Sequence, residues 1–146
     1  MSAQLALNIG DVVRLQCKNC NPPKPKYYIV LQVEPKFRTF LINTALTRFQ
    51  ASRPDHVAYN PIILAAEHAF LEYDSHIGGD HVSHEHDLAE VTRVLTRDPT
   101  CFLGHISDAA KHQIRAMLHR TNPHISGKHL RELREVWGLD PKKPAV

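Results

Sequence analysis

Residues 27–44, YYIVLQVEPKFRTFLINT, constrain this chain more than any other stretch. Residues 27–33 are aromatic and branched aliphatic with one polar interruption at Gln32, and a second apolar run, residues 40–42, follows the break Glu34-Pro35-Lys36. Two such runs joined by a Pro-containing turn predict an antiparallel strand pair. Pro35 has no N–H for a ladder and Lys36 prefers water, so the turn belongs at the surface. Tyr28 and Val30 with Phe40 and Ile42 are the expected inward face.

The flanking segments extend this pair into a small sheet. Gly10-Asp11 marks a turn, and the alternation in VVRL, residues 12–15, predicts a first strand that is edge or half buried. Residues 17–26, CKNCNPPKPK, are rich in lysine and proline without apolar periodicity, which predicts an exposed basic loop. Residues 45–60 read as a second exposed loop carrying Arg48, Arg53 and His56, with 57–59 as an optional short strand. Residues 62–64 and 69–73 supply further strand-like runs.

Beyond residue 83 the period changes. Ser83 is a candidate cap for a helix with Leu88, Val91 and Leu95 on one face, stopped by Asp98-Pro99. Ser107 caps a second helix with the stripe Ala110, Ile114, Met117 and Leu118, ended by Asn122-Pro123. Ser126 or Gly127 starts a third with Leu130, Leu133 and Trp137, closed by Gly138. The tail PKKPAV is expected to be disordered. The fold class is therefore α+β with a mainly β core and C-terminal helices.

Composition narrows the function classes. At 146 residues and 42% hydrophobic the chain fits one compact domain with a real core. A net charge of +3 is compatible with nucleic acid without demanding it. No apolar run is long enough for a bilayer span and the first residues lack the pattern of a signal peptide, so no membrane partner and a cytoplasmic location are expected. Three cysteines are an odd number, expected as free thiols or ligands in a reducing compartment.

The order of elements, with GDVVRL opening the sheet, a basic loop, KYYIVLQV, then FLINTALT, and LGHISDAAKHQIRAMLHR as a last turn and helix, resembles the PemK/MazF-like family of bacterial toxins from toxin–antitoxin pairs. The resemblance runs over roughly residues 8–120 and divides the chain into residues 1–120, a PemK/MazF-like domain, and residues 121–146, a helical extension with its tail. It implies a small SH3-like β-barrel with packed helices, a homodimer, an antitoxin protein as partner, and metal-independent endoribonuclease action on single-stranded RNA without a cofactor. Members place a threonine or serine after the third strand, which Thr44 matches. They place an arginine and a proline before the second strand, where this chain has Lys26-Tyr27.

The residues themselves point to the same region. Cleavage of RNA through its own 2′-hydroxyl needs a base, an acid and cations where charge builds on phosphorus. Lys24, Lys26, Arg48 and Arg53 lie on two loops that flank the strand pair, which makes them the candidate nucleic-acid-binding set. Thr44, Lys26 and His56 are the candidate catalytic residues, His56 because it titrates near neutrality. The alternative is a non-catalytic module of the same fold that binds nucleic acid or an antitoxin. A third reading is a metal-dependent hydrolase built on residues 74–87, DSHIGGDHVSHEHD, where His84 and His86 form an H-x-H pattern. The bland reading of that segment is a polar turn and helix start, and Asp74-Ser75 at a strand end is its better candidate for a structural or substrate-contacting role. Cys17 and Cys20 have the spacing of half a zinc knuckle but lack a second half.

Overall fold

The structure is a computed structural model that describes residues 6–142. Strand β1 (Asp11–Cys17) follows the predicted turn, in which Gly10 has φ 89° and the Asp11 carboxylate accepts the Asn8 N–H at 2.8 Å. β2 (Lys24–Gln32) and β3 (Arg38–Asn43) form the expected antiparallel pair. With β4 (Ile62–Ile63), β5 (Ser75–Ile77) and β6 (Phe102–His105) they make a six-stranded sheet in the order β4-β5-β3-β2-β1-β6, antiparallel at every step. Together with the helices this is a mixed α+β fold around a curled, half-barrel sheet. No helix among the described residues is long and apolar enough to cross a membrane.

Both faces of the sheet are buried. The register sets Ile29 opposite Phe40 and Tyr28 opposite Leu41, so the expected single inward face is in fact two. Phe40 and Ile42 share one face with Val12, Ile29 and Leu31, covered by α4 (Asp108–His119) and α5 (Gly127–Val136) through Ile114, Met117, Leu118, Leu130 and Leu133. Tyr28 and Val30 lie on the other with Val13 and Leu15, covered by α3 (Leu88–Arg97) through Val91 and Leu95. This explains why YYIVL is apolar at every position rather than at alternate ones, since successive side chains on a strand point to opposite faces. β1 lies between β2 and β6 and is buried, not an edge.

Ser107 and Ser126 cap α4 and α5 as the sequence predicts. The cap of α3 is Asp87 rather than Ser83, because Ser83 is taken up by an isolated bridge to Thr39, with backbone bonds of 2.8 and 2.9 Å. Three further expectations are corrected. The basic loop is shorter than expected, since Lys24, Pro25 and Lys26 already pair with β1, and Cys17 and Cys20 are joined in a disulfide across the turn; only Cys101 is free, and it is buried. The segment 45–60 is helical, with α1 (Arg48–Ala51) and α2 (Pro54–Ala58). Thr47 and Gln50 bond each other's backbone as a capping box, and Pro54 opens α2, so local caps decide the conformation where periodicity is too short to show. Residues 69–73 are not a strand. His68 donates from Nδ1 to the Leu64 carbonyl and accepts the Ser107 N–H at Nε2, which folds the preceding chain into a turn at the start of α4 and delays the strand to Ser75. The tail lies largely outside the described residues.

The extension beyond residue 120 contributes to the same core. Trp137 is buried at the end of α5, and its indole N–H donates to the Leu31 carbonyl at 3.0 Å, next to a register shift in the β2–β3 ladder. Arg134, also buried, donates to the Leu118 and Arg120 carbonyls and so closes the C-terminal end of α4. Trp137→Ala should cost about 3–5 kcal/mol of stability, and Trp137→Phe about 1–3 kcal/mol through the orphaned Leu31 carbonyl. Urea unfolding followed by circular dichroism measures both; equal stability of the phenylalanine variant would mean that the indole bond contributes nothing.

Candidate nucleic-acid cleft

Antiparallel pairing places the beginning of β2 beside the end of β3, with Tyr27 opposite Ile42. Lys24 and Lys26 are thereby brought next to Asn43 and Thr44, and residues 70–73 with Ser75 supply a further wall. The result is an open cleft of about 360 Å³. Tyr73 is 64% exposed at this wall, and Phe70 meets Tyr27 edge-on with ring centres 6.2 Å apart. Cations beside an exposed aromatic ring are what a single strand needs, the first for phosphate and the second for a base to stack on. Burial, and then the neighbouring Lys24 charge, hold the Lys26 amine below the ordinary lysine range. Lys26 therefore gives up a proton more readily than a free lysine.

Arg48, Arg53 and His56 do not line this cleft. Arg53 lies over the Phe49 ring at 4.2 Å, and His56 stacks on His124 with ring centres 4.3 Å apart. The Nδ1–H of His56 donates to Asp80 at 3.1 Å, and Gln50 donates to the same carboxylate oxygen at 2.8 Å. Burial pushes the Asp80 carboxyl up, yet the hydrogen bonds from His56, Gln50 and Asn60 outweigh it and hold the group below the usual carboxylate range. The predicted set thus divides into two groups: Lys24, Lys26 and Thr44 in the cleft, and Arg48 on α1, Arg53 at the cap of α2 and His56 on α2.

A larger cavity of about 490 Å³ lies between the β2–β3 turn, the start of α3 and α5. Several of its polar groups are already engaged within the fold. Arg38, buried, donates to Glu132 at 2.5 Å and Gln32 at 2.8 Å. His86 donates to the Gln16 carbonyl at 2.7 Å, and Asp87 caps α3. Other groups of segment 74–87 are similarly occupied. Glu85 accepts the Tyr28 hydroxyl at 2.5 Å and the Lys18 N–H at 3.2 Å, and His76 donates to the Asn60 carbonyl at 2.9 Å. The H-x-H pair does not converge, since His86 is buried and His84 is exposed. The unusual density of histidine and acid reflects a segment that fastens β1, β2 and α3 together.

Sequence reasoning missed Phe70, Glu72 and Tyr73 as cleft residues, because 69–73 read as a strand whose side chains belong to a core. It did single out Asp74-Ser75, and Ser75 does line the cleft. The Asp74 carboxylate is bonded to the Ala65 N–H at 2.8 Å.

Two titrations check this electrostatic account. Lys24→Ala removes one of the two causes acting on Lys26 and should raise its pKa, as read from the Lys26 side-chain NMR signal; an unchanged value would leave burial as the whole cause. For Asp80 the folded pKa lies below the unfolded one, so its contribution to stability is present above the ordinary aspartate range and is lost as pH falls through the depressed folded value. The stability gap between wild type and Asp80→Asn should accordingly close on acidification, and a gap independent of pH would refute the assignment. No family model, no curated protein and no solved structure matches the chain.

Proposed function

We propose that this chain binds single-stranded RNA in the Lys24–Lys26–Thr44 cleft and cuts it there without a metal ion, as the toxin of a toxin–antitoxin pair. The observation that carries this reading is the convergence of two lysines, a threonine hydroxyl and an exposed tyrosine on one open cleft. In the reaction the RNA 2′-oxygen attacks phosphorus, the bond to the 5′-oxygen breaks, and a cyclic phosphate and a free 5′-hydroxyl result. The Lys26 ammonium supplies charge at the phosphate and, with its lowered pKa, gives its proton to the leaving 5′-oxygen, while water takes the proton of the 2′-hydroxyl. The Thr44 hydroxyl donates to a phosphate oxygen that gains charge in the transition state. His56, held by Asp80 outside the cleft, drops out of the catalytic set. The same reading makes the curled sheet an SH3-like barrel and the chain a homodimer neutralised by an antitoxin. Phe49, Val57, Ile62 and Leu64, all exposed, offer apolar surface for such partners.

The second reading is a binding module of the same fold without catalysis, favoured by a lysine where the toxins carry an arginine. Lysine acts on a phosphate as a point charge and lacks the planar fork.

Purified protein incubated with single-stranded RNA in the presence of chelator separates the two. Wild type should cut, and Thr44→Val should lower turnover by about 10²–10³ with affinity unchanged. Lys26→Ala should weaken both rate and affinity. For binding, Lys24→Ala with Lys26→Ala should reduce the salt slope by about 0.7 for each phosphate no longer neutralised, while Arg48→Ala with Arg53→Ala should leave it unchanged. RNA that is bound with a normal salt slope yet stays intact establishes the binding module, and absence of salt-dependent binding overturns both readings.

A further inference from the structure

Outside the cleft, α2 and the connection between α4 and α5 bring three potential metal ligands together across the fold. Asp55, His56 and His124 each offer one ligand atom within 4.8 Å of the others, and this is the one such group among the described residues. Its sequence neighbours give no hint of it, because His124 follows Pro123 in a turn far along the chain from α2.

The arrangement has the chemistry of a metal site and not only its composition. The Nδ1–H of His56 donates to Asp80, which leaves the lone pair of the ring on Nε2, the form of imidazole that binds a metal. A carboxylate bonded to the far nitrogen of a ligating histidine is the usual outer partner, since it fixes the tautomer and raises the basicity of the ligand. Asp80 is itself fixed by Gln50, which donates to the same carboxylate oxygen at 2.8 Å. The Nε2 of His124 is buried and has no hydrogen-bond partner; the nearest carboxylate oxygen, on Asp55, is 3.7 Å away. A buried imidazole nitrogen left unpaired in this way is costly without a ligand. Asp55 is mostly exposed, lies in the first turn of α2 and is free to move, which is what closing the group requires. Ligand atoms about 2.0–2.2 Å from a tetrahedral zinc are separated by roughly 3.4 Å, so the Asp55–His124 distance already nearly fits.

We propose that Asp55, His56 and His124 bind a zinc-class divalent ion, with Asp80 as the positioning residue behind His56. Two imidazoles and one carboxylate leave a fourth position for water. The ion ties α2 to the α4–α5 connection, and it acts apart from the metal-independent cleft chemistry. Nitrogen ligands select zinc and its neighbours over magnesium and calcium, which take oxygen.

The test is titration of chelator-stripped, non-reduced protein with zinc against a chromophoric zinc indicator, with cobalt(II) as a spectroscopic substitute. Wild type should bind one equivalent, give the visible absorption of tetrahedral cobalt, and melt at a higher temperature with zinc than without. His56→Ala and His124→Ala should lose all three responses, with folding checked by circular dichroism. Asp55→Asn, at an exposed position where folding is not at risk, should weaken binding strongly, and Asp80→Asn should weaken it by about 10–100-fold. The exposed His81→Ala and His84→Ala variants should bind as wild type does. The proposal is overturned if folded wild type takes up no zinc, if one equivalent survives both His56→Ala and His124→Ala, or if binding depends instead on Cys17 and Cys20.

Discussion

Burial of β2 on both faces is the constraint on which the rest of this structure depends. Ile29 and Leu31 on one side, and Tyr28 and Val30 on the other, are all removed from water. At roughly 25 cal/mol for each square ångström of apolar surface, neither face can be left open in a chain this size. One sheet must therefore carry helices on both sides, and the chain supplies α4 and α5 for one side and α3 for the other. The pairing of β2 with β1 and β3 follows, and with it the side-by-side placement of Lys26 and Thr44. The cleft is a by-product of the register that buries the core.

Polar groups are then used to hold the layers in place. Tyr28 reaches through its face to Glu85, and burial together with that carboxylate keeps the phenol protonated and donating. Arg38, among the most buried side chains, survives burial because Glu132 and Gln32 answer it. Burial, and then the Arg38 charge, keep the nearby His129 imidazole below the ordinary histidine range, which disfavours a second positive charge beside it. These contacts join segments far apart in sequence, which is why the histidines and acids of residues 81–87 look like a site when read along the chain.

What is legible in the sequence follows the range over which its cause acts. The β2–β3 pair, the turn at Gly10 and the caps Ser107 and Ser126 each depend on neighbours within a few residues, and all are present. The two-sided burial of β2 is visible in YYIVL but reads as one face, since an unbroken apolar run does not say how many layers cover it. α1 and α2 are too short for periodicity, and only Thr47 and Gln50 announce the first of them. Of the site residues, Lys24, Lys26 and Thr44 are legible because strand pairing brings them together. Phe70 and Tyr73 are not, because their position depends on His68 reaching Ser107 at the head of α4.

The bond between Trp137 and Leu31 spans 106 residues and bears on when the molecule can be finished during synthesis. The β-hairpin emerges from the ribosome early, with one entire face of greasy side chains still waiting for α4, α5 and the indole. Until residue 137 has cleared the exit tunnel that face is open to water and to chaperones, and the non-local closure comes last. The walls of the cleft gain their rigid backing only at that moment, so a growing chain still attached to its own message carries an unfinished cleft.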